Sequence, residues 1–252
     1  MNKRTLQALL LVVLVGGLAT ILLPKFLERT ELRTTRYANG NVWSETRFRD
    51  GVAHGIWRTY FEDGTPASEG GYADGRRAGL WRVWFADGKP QSSGVYIMGN
   101  PYGTWEHWFS NGSKASEGEY NEGQKNGPWK DWYGNGQLRT DGAYKNGREH
   151  GPMRTWYANG KPKDEQTYSE GVLEGSRTEY YENGQKKSTF MHENDRKTGP
   201  GTVWYENGQI QATGTYADDK IEGRLEVYLP DGKLDLVLSG TYEGGQRVGP
   251  LE

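Results

Sequence analysis

The chain of 252 residues has no cysteine, which excludes disulfides, thiolate metal sites, cysteine nucleophiles and lipidated cysteines together. It has only four histidines, His54, His107, His150 and His192. They form no spaced cluster, and no His-x-x-x-His pair, phosphate-cradling loop or nucleophile elbow occurs. No catalytic residue, metal or cofactor is expected, and the chain reads as a non-enzyme. Aliphatic residues are scarce as well: hydrophobic types make up 34% of the chain, and many of them fall in the first 23 positions. Too few remain for a layered globular core. Positive charge is also short. The chain is net −2, and residues 1–36 hold six Lys or Arg against two Glu, which leaves −6 on the remainder. A nucleic-acid binder shows the reverse balance, so nucleic acid is not an expected partner.

What the chain does have is 37 Gly, 10 Trp and 16 Tyr. An aromatic content of 13% is too high for a segment that buries nothing, and the glycines show no Gly-X-Y period, so collagen is excluded. An apolar run of 18 residues extends from Leu6 to Leu23, interrupted only by Gln7 and Thr20. As a helix it would span roughly 27 Å, close to the hydrocarbon thickness of a bilayer. The reading is a short cytoplasmic N-terminus over 1–5, a transmembrane anchor or signal peptide over 6–23, a linker over 24–36 and a repeat domain over 37–252. Lys3 and Arg4 keep the N-terminus cytoplasmic and send the rest outside; the alternative is secretion after cleavage near Gly17-Leu18-Ala19.

Self-comparison supplies the architecture. A glycine preceded by Asn or Asp recurs every 24 residues, at Gly40, Gly64, Gly88, Gly112, Gly136, Gly160, Gly184, Gly208 and Gly232. A second glycine keeps the same step from Gly55 to Gly223, and an aromatic column runs through Phe48, Tyr72, Tyr96, Tyr120, Tyr144, Tyr168 and Tyr216, with His192 as its exception. The last unit slips by two residues. Within a unit, Pro128–Tyr133 and Gln137–Tyr144 read as two strands joined at Asn135-Gly136 by a type I′ turn, in which both residues need positive φ. The stretch 145–151 reads as a longer connection. The fold class is all-β: an elongated single-layer meander of about nine 24-residue β-hairpin repeats, preceded by one N-terminal transmembrane helix. Seventeen or eighteen strands at about 4.8 Å would give a rod of roughly 80 Å.

Alternation places Trp129 and Asp131 on one side and Lys130 and Trp132 on the other. Glycines such as Gly94, Gly118 and Gly142 leave room for a neighbouring ring to lie over bare backbone, so the core is expected to be a stripe of stacked aromatics. Two columns differ in constancy. Tyr60, Trp84, Trp108, Trp132, Trp156, Tyr180, Trp204 and Tyr228 stay aromatic throughout and are expected to form the structural repeat core. Trp57, Trp81, Trp105 and Trp129 give way to Met153, Arg177, Gly201 and Leu225. A column that tolerates Arg and Gly is expected to be the less buried one, so these four Trp are the candidate partner-binding ladder. Lys233–Leu238 reads as an aliphatic final strand, either a cap or a pairing edge.

A unit of the form Gly-x-Trp-x-x-Trp-Tyr-x-Asn-Gly-Gln, as at Gly127 to Gly136 and in related form at Gly79 to Gly88, resembles the MORN repeat variant, the bacterial relative of the MORN repeat found in proteins similar to YwqK-type antitoxins. The resemblance covers residues 37–252. It implies an elongated β-hairpin array used for binding, with no defined ligand and no catalytic residue. The leading expectation is a membrane-anchored scaffold in a bacterial cell membrane that binds a partner protein outside the cytoplasm. A cell-wall or glycan binder and an antitoxin are the alternatives.

Overall fold

The computed structural model describes residues 29–251, together with the backbone of two short paired strands, Val12–Val15 and Leu18–Ile21. The rest of the expected anchor over 6–23 lies outside the described residues, as does the N-terminus over 1–5. Among the described residues no helix is long and apolar enough to cross a membrane.

From Thr30 onward every regular element is a strand, and all belong to one antiparallel sheet. The ladders join chain neighbours, from Thr30–Arg36 with Val42–Arg49 to Gly240–Glu243 with Gln246–Gly249. Closure into a barrel would require a ladder between Thr30–Arg36 and Gln246–Gly249; among the described residues none joins them, and the ribbon is open. Such a meander draws its stability from neighbouring units. The sheet starts earlier than expected, because Thr30–Arg36, within the presumed linker 24–36, is its first strand. This early start, together with single-residue breaks at His150 and Glu174 that each divide one strand in two, gives twenty-one strand segments in place of seventeen or eighteen.

The two kinds of turn are the reverse of the sequence reading. At the Asn-Gly or Asp-Gly positions only the glycine has positive φ, from 82° to 91°. Tyr133 C=O accepts from Gly136 N–H at 2.9 Å, and Tyr133 N–H donates to Gln137 C=O at 2.8 Å. This is a three-residue loop, a type I turn closed by a left-handed glycine. Asn135 stays at negative φ because its side chain is in use: Oδ1 accepts from Gln137 N–H at 3.0 Å, and Nδ2 donates to Ala158 C=O in the next unit at 2.8 Å. The two-residue turns with both φ positive lie at the opposite edge, as at Asn146 (51°) and Gly147 (79°). There the supposed long connection 145–151 is a tight reversal followed at once by strand, Arg148–Glu149 and then Gly151–Trp156. The second glycine series, with positive φ at Gly127 and its equivalents, lies inside strands beside the register shifts and forms β-bulges.

The core is a stripe on one face of the sheet. Trp57, Tyr72, Trp81, Tyr96, Trp105, Tyr120, Trp129 and Tyr144 alternate edge to face, with successive centroids 4.9–6.2 Å apart and planes at 78–89°. Each such contact adds about 0.5–1.5 kcal/mol beyond the area it buries. A Cβ built on Gly70, Gly94 or Gly118 would fall inside the ring of Trp81, Trp105 or Trp129 respectively, so the glycine column is the bed on which the rings lie. The expected room for neighbouring rings is thus filled, except that Met153 lies over Gly142 in place of a ring. Cations close the stripe: Lys125 Nζ lies 3.7 Å from the Trp129 centroid, and Arg77 Cζ lies 4.5 Å from that of Trp81.

At the C-terminal end Lys233–Leu238 is not a strand. Only Leu234 makes a bridge, to Tyr228. Asp235 Oδ1 accepts from the N–H groups of Val237 and Leu238 at 2.9 and 3.1 Å, and this turn takes up the two-residue slip. The closing hairpin is Gly240–Gly249.

Gly118→Ala is expected to cost about 1–3 kcal/mol in urea unfolding, because the added methyl must displace a packed ring. Gly134, with nothing within 4 Å of its added Cβ, is the control, and its replacement by Ala should change stability by no more than about 0.5 kcal/mol.

Candidate functional site

The structure exchanges the roles of the two aromatic columns. Trp81, Trp105 and Trp129, expected as an exposed ladder, are 3%, 7% and 4% exposed, and Met153 and Leu225 of the same column are 3% and 7%. Trp57, nearer the beginning of the sheet, is half-buried. The constant column from Tyr60 to Tyr228, expected as the buried core, is half-exposed at every position.

The inference from constancy failed because size is conserved across a strand pair rather than at one position. Gly201 pairs with Phe190, which stands where other units have glycine. The Phe190 ring occupies the space above Gly201 and meets Tyr216 edge-on at 5.2 Å. Arg177, whose side chain is 35% exposed, is held by Asp164 at 2.7 Å and Glu179 at 2.8 Å, so the column is partly open at this unit and the charge there is paired. A simultaneous break in the Trp column and the Gly column was visible in the sequence and signals this exchange.

The open face of the sheet carries two parallel rows. The first is the ring row, in which each ring lies opposite a different type of side chain: Tyr60 opposite Pro66, Trp84 opposite Pro90, Trp108 opposite Lys114 and Trp132 opposite Leu138. The second is a charge row one register step along. Its members pair directly from strand to strand: Glu45 with Arg58, Arg58 with Glu69, Glu69 with Arg82, Arg82 with Ser93, and Ser93 with Glu106. It continues through Glu117, Lys130, Asp141 and Arg154. Beyond Glu165 the row becomes Thr178, Thr189, Thr202 and Thr213. Arg58 Nε donates to Glu69 at 2.8 Å and Lys114 to Glu106 at 2.8 Å. These ion pairs are 32–42% exposed and fix orientation more than they stabilise. An open groove of about 400 Å³ runs between Tyr60, Pro66 and Trp84, bordered by Arg58, Glu69 and Arg82.

The histidines do not converge. His107 stacks on Trp105 at 6.0 Å, and His150 accepts from Glu170 N–H at 3.4 Å. Among the described residues no group of His, Asp and Glu could hold a metal. His192 occupies a tyrosine position of the core stripe. It is 7% exposed, and its Nδ1 has no hydrogen-bond partner. Burial lowers its pKa, Arg177 and Lys197 lower it further, and the Phe190 backbone and Asp219 oppose them without reversing the direction. The folded state therefore holds His192 neutral where the unfolded chain binds a proton. Its contribution to stability is full above about pH 6.5 and is lost as pH falls from there toward the depressed folded value.

A family model described as MORN repeat variant matches residues 53–74, 101–122, 125–146, 149–170, 173–194 and 197–218, a little over half of the chain. Gly127 to Gly136 lies within these stretches and Gly79 to Gly88 does not. No curated protein matches the chain. Similar solved structures include "Crystal Structure of TcdB2-TccC3 without hypervariable C-terminal region", at 11% identity over 81% of this chain and 13% of that one, with a TM-score of 0.21. Another is "Crystal Structure of TcdB2-TccC3-Cdc42", at 11% identity over 81% and 13%, with a TM-score of 0.17. The chain spans about 13% of the length of these solved chains, and likeness at this level bears on neither fold nor function.

Urea midpoints measured between about pH 7.5 and 5.5 should fall with pH in the wild type and fall less in His192→Tyr. Equal falls in the two proteins would contradict the assignment of His192 as a buried neutral base.

Proposed function

The chain belongs to the MORN repeat variant family, and from that membership and the two rows of the open face we propose a non-enzymatic repeat protein that holds a partner protein against its ring row. The observation that carries this reading is the row itself: eight half-exposed aromatic residues, from Tyr60 to Tyr228, stand on the face opposite the core. Rings flanked by paired charges combine apolar contact area with a pattern that fixes register, as protein interfaces require. The buried Trp81, Trp105 and Trp129, with the half-buried Trp57, act as support and not as contacts.

The apolar run 6–23 would tether the ribbon to a bacterial membrane, with Lys3 and Arg4 on the cytoplasmic side and the repeats outside. In this reading the ribbon is a scaffold whose length, rather than a pocket, sets what it can hold. A toxin would be one kind of partner protein; a glycan would use the same rings.

Capture experiments with the full chain in detergent test the reading. Replacing Trp84, Trp108, Trp132 and Trp156 together by Ala should weaken partner capture at least about tenfold, while thermal unfolding shows the ribbon intact. Undiminished capture would contradict the assignment, and retention on polysaccharide without any captured protein would replace the partner protein with a glycan.

A further inference from the structure

Resting on the reading of the open face as a protein-binding surface, we infer that its N-terminal half binds a second copy of the same half, face to face, about a two-fold axis parallel to the strands. The inference comes from the order of charges along the row. Its first five positions are Glu45, Arg58, Glu69, Arg82 and Ser93, and its next five are Glu106, Glu117, Lys130, Asp141 and Arg154. A two-fold axis of this kind keeps each row opposite its own counterpart and reverses the strand order. With the axis between the strands Pro90–Ile97 and Asn100–Trp108, Glu45 meets Arg154 of the second copy, Arg58 meets Asp141, Glu69 meets Lys130, Arg82 meets Glu117, and Ser93 meets Glu106. Every charge in the row faces an opposite charge or a hydroxyl.

Neighbouring registers lack this property. Sliding the second copy by one strand sets Arg58 on Lys130 and Glu69 on Glu117, or in the other direction Arg58 on Arg154 and Glu69 on Asp141. Sliding by two strands brings Glu106 onto Glu117, or Glu69 onto Glu106. Like charges placed directly opposite disfavour those alternatives. The register that satisfies the charges also matches the ring row. Tyr60 faces Leu138, Trp132 faces Pro66, Trp108 faces Pro90 and Trp84 faces Lys114, so each ring fills a gap between rings of the other copy.

The area is also sufficient. Ten strands at about 4.8 Å and a width of about five residues at roughly 3.3 Å offer about 800 Å² per copy, the size of a standard stable interface. Two sheets of like twist can pack face to face with their strands nearly aligned. The threonine row from Thr178 to Thr213 carries no charge code, which confines the contact to the first half of the ribbon and leaves the second half free.

Arg82→Glu and Glu117→Arg test the pairing, with the full chain in detergent and its mass measured by light scattering. The wild type is expected to be a dimer. Each variant alone sets like charges opposite each other at two symmetric places and should lose at least about tenfold in self-association. An equimolar mixture sets opposite charges at both places, so it should recover the dimer as a heterodimer. No loss of folding in either variant can produce that recovery. A monomeric wild type at about 100 µM, variants that stay dimeric alone, or a mixture that stays monomeric would each overturn the inference. A monomeric wild type that still captures another protein through its ring row would remove the second copy while leaving the protein-binding reading in place.

Discussion

A tryptophan ring lying on the bare backbone of the neighbouring strand is the contact on which the rest of this ribbon depends. The glycine beneath the ring has no Cβ, so the indole can settle against the peptide plane, and tyrosines on either side meet its edges. Trp81 and Trp105 also donate their indole N–H groups to the carbonyls of Gly71 and Val95 at 3.1 and 3.2 Å. Their polar atoms are therefore satisfied without water. This contact lets a single sheet bury rings almost completely with few aliphatic residues and no second layer. It also explains the strict 24-residue step: one ring and one glycine bed per hairpin, with no tolerance for insertion within the stack.

The repeat, the all-β meander and the aromatic stripe were legible in the sequence, because period and composition report them directly. The choice of face was not. In the sequence constancy suggests burial, yet the constant column from Tyr60 to Tyr228 is partly exposed on the outer face, and Trp81, Trp105, Trp129, Met153 and Leu225 of the variable one are buried. The column tolerates Gly201 because Phe190 fills its space from the paired strand, and Arg177 because the side chain there is partly exposed and Asp164 and Glu179 pair its charge. Turn type is hidden from the sequence for a related reason. Asn-Gly suits a two-residue hairpin, but here Asn135 spends its side chain on the following amide and on the next unit, and this favours the three-residue loop. The charge row was visible residue by residue, but its order gained meaning only once the register placed its members in one line.

Between the two stacked segments the stripe changes character. From Met153 to Arg177 the stripe keeps Tyr168 but has Met153, Gln166 and the Arg177 ion cluster in place of its other rings and glycines; His192 takes a tyrosine position, and edge-to-face packing resumes between Phe190 and Tyr216. The open face changes nearby, from charges to threonines. The ribbon thus has an N-terminal half with a continuous ring core and a coded outer surface, and a C-terminal half with a mixed core and an uncoded one. The far end adds Leu236, Val237 and Leu238 on a turn, exposed by 72%, 78% and 51%.

The central claim is that the two tryptophan columns face opposite ways, one packed on glycine and one partly exposed on the other face. Hydroxyl-radical footprinting of the folded chain, read residue by residue in a mass spectrometer, measures this directly. Trp81, Trp105 and Trp129 should be protected and Trp84, Trp108, Trp132 and Trp156 modified, with the difference vanishing in denaturant. Equal labelling of the two sets in the folded chain, or protection of the second set and not the first, would contradict the account.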